Sequence, residues 1–226
     1  MKQKRPFSTE LAYILGIVTL ALGTAFMERA DFGMSMVVAP AYLLHLKISQ
    51  FYPIFSFGTA EYCLQAALLS VLCLALRRFK VSYLFSFVTA VIYGFTLDGC
   101  MALIALIPGS GFAFRLLFYA LGLLVCAVGV SLLFHTYIAP EVYELFVKEI
   151  AAKSGMEIHK VKTVYDCCSC AIGVALSFAF FGLWHFEGVK LGTIFCALVN
   201  GATIGVCSRF LESRFVFEDK LRKYFA

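Results

Sequence analysis

Charge is scarce in this chain. Only 15% of its 226 residues are Asp, Glu, Lys or Arg, while 62% are hydrophobic and the mean hydropathy is +0.88. A soluble domain of this length cannot hide so much apolar surface, so lipid must solvate much of it. The formal net charge of +5 is then no argument for nucleic acid. In a membrane protein it reports Lys and Arg gathered on cytoplasmic loops. Motifs of energy conversion and hydrolysis are also missing. There is no Walker loop, no Gly-x-Ser-x-Gly, no His-Glu-x-x-His and no nucleotide-binding pattern. A self-powered pump is excluded unless a separate ATPase docks on the inner face. We expect no enzyme, no catalytic residue and no cofactor. Nine cysteines is an odd count, and most lie inside apolar runs, which suits reduced helix-packing thiols better than disulfides. Cys167 and Cys170 share a helical face, and soft thiolates suit Cu(I) or Zn. No second Cys or His pair has matching spacing, so we expect small fillers of helix contacts and no metal.

One stretch is written twice. Leu15-Gly16 and Gly23 return 106 residues later as Leu121-Gly122 and Gly129, and Ala39-Pro40 returns 100 residues later as Ala139-Pro140. Ala90–Thr96 matches Ala197–Thr203 at an offset of 107. These matches predict two homologous halves, residues 1–111 and 112–208, each of three spans, followed by an amphipathic cytoplasmic tail over 209–226. Three is odd, so the second half enters from the opposite side. The expected fold is an all-α membrane protein of six transmembrane helices in two inverted repeats.

The spans are expected at Leu11–Met27, Phe57–Leu76, Val81–Ile107, Leu116–Ile138, Val161–Leu183 and Leu191–Ser208. Lys2, Lys4 and Arg5 before the first span resemble a signal peptide, but the recurrence of its Leu-Gly spacing argues that it is retained. Met34–Leu46 is apolar, contains Pro40 and is too short to cross, so it is expected to be interfacial or re-entrant. The helix after Pro140 occupies the same place in its half. Its Val142, Leu145, Phe146, Glu149 and Ile150 form a mostly apolar stripe, with Glu141, Glu144 and Lys148 elsewhere. With the N-terminus inside, inner segments hold 15 of the 19 basic residues and outer segments hold Arg29, Lys47, Arg115 and Lys190. Both termini are therefore expected in the cytoplasm.

Acids inside apolar spans are costly and point to function. Glu61 and Asp166 lie 105 residues apart, each about a turn into its span, which suggests a shared cavity. The plainer alternative is an acid near a helix start, favoured by the dipole. Asp98 lies deeper, with no basic neighbour in sequence, and is expected to be a protonatable carboxyl or a cation ligand. Arg29, between Glu28 and Asp31, forms either an interfacial ion pair or, with Asp31, an anion site at the outer mouth. Asn200, mid-span in the sixth helix, either binds substrate or bridges helices.

Ala30-Asp31-Phe32-Gly33-Met34-Ser35 after the first span, Ser56-Phe57-Gly58-Thr59 opening the second, Asp166 early in the fifth, and Gly188 with Leu191-Gly192-Thr193 opening the sixth carry a resemblance. The chain resembles the YczE/YitT type of uncharacterised bacterial integral membrane proteins, whose members often have Pro-Trp where Met36-Val37 stands. The resemblance implies a multi-pass protein of the bacterial plasma membrane and supplies no substrate. The leading reading is a small-solute permease, alone or as a homodimer, with a midplane cavity for a small polar or cationic solute. The alternatives are a substrate-capturing importer subunit that borrows an ATPase, and a non-transporting membrane partner or scaffold.

Overall fold

The computed structural model describes residues 4–183 and 187–219; His185 and the tail from Lys220 onward lie outside that range. Among the described residues there are eight helices: α1 (Thr9–Ala30), α2 (Ala39–Ile48), α3 (Phe57–Leu76), α4 (Ser82–Ala105), α5 (Phe112–Phe134), α6 (Val142–Ser154), α7 (Ile158–Phe181) and α8 (Leu191–Arg214). Six of them, all but α2 and α6, are long and apolar enough to cross a membrane. The chain is a polytopic membrane protein by that measure.

The long helices alternate in direction. At one end, the terminal face, β1 (Arg5–Ser8) pairs in parallel with β2 (Phe215–Glu218). There His135, just past α5, lies 2.9 Å from Glu212 on α8, and the Tyr137 hydroxyl donates to Glu10 on α1. At the opposite face, Arg115 at the start of α5 meets Asp31 at the end of α1. The β pair departs from the all-helical expectation. Residues 209–214 continue α8 instead of opening a surface helix, and 215–218 form the strand. Their alternating Phe215 and Phe217 pack on Phe7, and Phe217 stacks on His135, as a period of two allows.

The repeated glycines explain the centre. A Cβ at Gly23 would lie 2.6 Å from the Cys126 backbone N, and one at Gly122 would lie 2.8 Å from the Gly23 carbonyl. One at Gly129 would lie 2.9 Å from the Gly16 carbonyl. Gly16 thus meets Gly129 while Gly23 meets Gly122, a pairing that only antiparallel helices can make. Only glycine permits so close a backbone approach.

The short helices begin inside the bundle. The Thr89 hydroxyl, seven residues into α4, donates to the Ala139 carbonyl, so the chain has dived about 10 Å from the terminal face before α6 begins. α6 then climbs out, and Lys153 reaches the Ala75 carbonyl at the end of α3. α2 mirrors this from the other side. Ala39 lies beside Gly173, eight residues before the end of α7, and Lys47 donates to the Phe180 carbonyl near that end. The inward strokes are the non-helical segments before each helix, which is why the fourth span stops at Phe134 instead of Ile138.

Glycine 23 gives a direct check. Gly23→Ala forces the two backbones apart and should cost about 1–3 kcal/mol by overpacking. Gly205→Ala, with nothing within 4 Å of the added Cβ, should leave stability unchanged or raised. Thermal unfolding in detergent checks both; equal melting temperatures would contradict the packing.

Candidate functional site

Residues at the inner ends of α2 and α6 line opposite sides of a small, partly enclosed chamber of about 30 Å³ in the middle of the bundle. Ser35, Val37 and Val38 line it from the α2 side, and Glu141, Tyr143 and Glu144 from the α6 side. Thr24, Tyr93, Cys126, Lys162, Cys196 and Asn200 complete the polar lining from the long helices. The volume has room for one or two waters.

Local chemistry builds the α6 side. Pro140 lacks an N–H and precedes the N-cap, Glu141. A helix start leaves backbone N–H groups without internal partners. The first of them, on Val142, donates to the Gln65 side-chain oxygen at 3.0 Å. The Gln65 Nε2 donates onward to Glu141 Oε2 at 3.0 Å and, at the long limit of 3.5 Å, to Glu61 Oε2. The Tyr143 hydroxyl donates to the same Glu61 oxygen at 2.9 Å. Glu61 and Gln65 are four residues apart on α3 and so share a face. One amide from α3 therefore holds the broken end of α6.

Glu61 is fully buried, and Glu141 and Glu144 nearly so. Each keeps one carboxyl oxygen without a hydrogen-bond partner among the described residues: Oε1 of Glu61, Oε1 of Glu141 and Oε2 of Glu144. Burial pushes the Glu141 carboxyl well above the ordinary carboxylate range, and the neighbouring Glu144 and Glu61 carboxylates push it further. Burial also raises Glu144, against the pull of Lys162. The dipole of α6 opposes both shifts, because Glu141 caps its N-terminus and Glu144 sits in its first turn. On α7, Lys162 Nζ lies 2.9 Å from Asp166 Oδ1, an ion pair by distance whose angles fall short of a directed hydrogen bond. Both side chains are buried. Asn200 on α8 faces Asp166.

The expected site residues divide. Glu61, Asp166 and Asn200 converge on this polar centre. Asp98 does not. It accepts from the Ser56 hydroxyl at 2.7 Å and the Gly58 N–H at 2.9 Å, which makes it a cap on the start of α3. Arg29 donates to the Ile107 carbonyl at 3.2 Å at the opposite face. Asp31, also there, pairs with Arg115 at 2.9 Å and with Lys190, instead of with Arg29. Four members of the centre go beyond the expected set: Gln65, Glu141, Glu144 and Lys162. The amphipathic reading put Glu141 and Glu144 away from the buried stripe, and the charge count put Lys162 on an inner loop. α6 is instead buried on its polar side as well, because that side faces other polar groups. The available signal was the recurrence of Ala-Pro with an acid directly after the second copy.

A model of a family of unknown function, DUF6198, matches residues 7–209. The chain belongs to that family. No curated protein matches the chain, and no solved structure does. A family of unknown function fits that resemblance without confirming the YczE/YitT type. Membership brings no substrate with it.

The raised Glu141 carboxyl has a consequence for stability. An acid whose folded value exceeds its unfolded value stabilises the fold while both states are protonated. That contribution is lost as pH rises from the ordinary value of 4.5 through the raised folded value. Thermal stability in detergent should therefore fall over that window, and Glu141→Gln should flatten the fall. An identical slope in the variant would remove Glu141 from the account.

Proposed function

We propose that this protein is a small-solute permease of the bacterial plasma membrane, a carrier and not an enzyme, in which two inverted halves enclose an occluded passage. The observation that carries the reading is the small chamber, lined in part by ionisable groups, between two short helices that start inside the bundle from opposite faces. Ionisable groups are expensive at membrane depth, and non-helical backbone is tolerated there only where it is buried in protein or lines a cavity.

The neighbour pattern supports inverted halves. Exchanging α1 with α5, α2 with α6, α3 with α7 and α4 with α8 turns one set of packed pairs into the other. α2 packs on α7 as α6 packs on α3, α1 on α4 as α5 on α8, and α3 on α4 as α7 on α8. Such symmetry lets the two halves trade conformations and so trade access.

Both faces are closed by weak latches. At the opposite face Asp31, from the first half, is forked between Arg115 and Lys190 of the second. At the terminal face Glu149, from the second half, is forked between Arg78 at 2.7 Å and Lys80 at 2.8 Å of the first. The cations are partly or largely exposed, and pairs of this kind are worth only about 0–1 kcal/mol each. Latches that weak can open one at a time. The basic residues favour the terminal face, which supports cytoplasmic termini.

Alternating access is testable at Cys196, which lines the chamber. In a chain whose other eight cysteines are replaced, a membrane-impermeant thiol reagent should label Cys196 from either face, in right-side-out and in inverted vesicles. Labelling from neither face, or from one only, would contradict the carrier reading.

A further inference from the structure

The chamber's size and the unpaired oxygens on its walls narrow what it can hold. With room for one or two waters, it admits no organic solute in this conformation. The remaining occupants are a bare metal cation and a proton. Among the described residues no three His, Cys, Asp or Glu side chains converge closely enough to hold a metal ion. The acids are nevertheless abundant. Glu61, Glu141, Glu144 and Asp166 outnumber the cations that face them, Lys162, which Asp166 already occupies, and Lys148 beside Glu144. Carboxylates left ionised in the buried centre beyond those counter-charges would each cost several kcal/mol.

Geometry also says where protons would sit. The donors Tyr143 and Gln65 both address Oε2 of Glu61, and Gln65 addresses Oε2 of Glu141. The second oxygen of each glutamate has no partner among the described residues, and Oε2 of Glu144 is in the same position. A carboxylic acid accepts at one oxygen and carries its proton on the other.

We propose that the chamber is a proton-binding site, with the proton held on Glu141 and shared with Glu61 and Glu144, and that this proton is the ion coupled to transport. The proposal rests on the permease reading and names its coupling ion. Glu141 caps the start of α6 and Glu144 lies in its first turn, three residues on, so the shuttle is short. The Glu141 O–H bond breaks, an O–H bond forms on Glu144 directly or through one water, and the negative charge moves the other way. Other titratable groups face this shuttle: Tyr13 from α1, Tyr93 from α4, Cys126 from α5, Tyr143 and Lys148 from α6 itself, Lys162, Tyr165 and Asp166 from α7 and Cys196 from α8. Lys162 is the cation that ties Glu144 to α7, so a proton arriving on Glu144 weakens its hold on Lys162 and loosens α6 from α7.

Proton flux into liposomes containing the full chain tests this. The vesicles carry an internal pH-sensitive dye, and a potassium diffusion potential set with valinomycin drives the flux. The wild type should acidify the lumen. Glu141→Gln should reduce the rate to that of protein-free vesicles, and Glu157→Gln, on the surface beside Lys160, should leave it unchanged. Should Glu141→Gln fail to fold, infrared spectroscopy of the wild type serves instead. It should reveal a buried protonated carboxyl at neutral pH, and absence of that band would overturn the proposal. Wild-type vesicles that pass no protons, or that respond only to a sodium gradient, would overturn it too. If Cys196 is still labelled from both faces in those vesicles, the permease reading survives. If Cys196 is labelled from neither, that reading falls with it.

Discussion

The Gln65 side chain meets two needs at once. It accepts from the Val142 N–H, which the start of α6 leaves without an internal partner, and it donates to the buried Glu141 carboxyl. In lipid-solvated protein an unmet backbone group costs several kcal/mol. A helix that begins in the interior of such a protein therefore needs a partner supplied by another element. Here that partner comes from α3, and with it comes Glu61, one turn away on the same face. The re-entrant helix, the acid cluster and the chamber all follow from this one amide.

Around it, the close glycine crossing of α1 and α5 fixes the frame. That crossing leaves α2 and α6 to fill the remaining volume, each lying against long helices from both halves of the chain. The charged forks at the two faces close what remains. Their exposure keeps them weak, so the interior is closed by packing and only lightly fastened by charge.

Much of this was legible in the residues. Composition and apolar run lengths gave six spans, and the repeated Leu-Gly and Ala-Pro pairs marked the helix crossing and the two re-entrant turns. Glu61 and Asp166, which the fold places in the buried polar centre, were legible because an acid within an apolar run stands out. Glu141, Glu144 and Lys162 were not, because they lie in charged stretches that look like solvated loops. Only the fold reveals that the stretch beginning at Pro140 is carried inward. Asp98 stood out for the same reason as Glu61, yet it caps α3, since a deep acid and a capping acid look alike until the neighbouring helix start at Ser56 and Gly58 is seen. The strand Phe215–Glu218 was masked by its mixed charge and by the helix that precedes it.

The central claim is that the two short helices start deep in the membrane and run outward. A Cβ at Gly173 would lie 3.7 Å from the Ala39 Cβ, within the span of a disulfide. The double substitution A39C and G173C, made in a chain otherwise free of cysteine and oxidised in native membranes, should cross-link α2 to α7. Neither single variant should react with an impermeant thiol reagent while the chamber is closed. No cross-link, together with free labelling of the Ala39 position from the surface, would mean that α2 lies on the membrane and that the chamber has no floor.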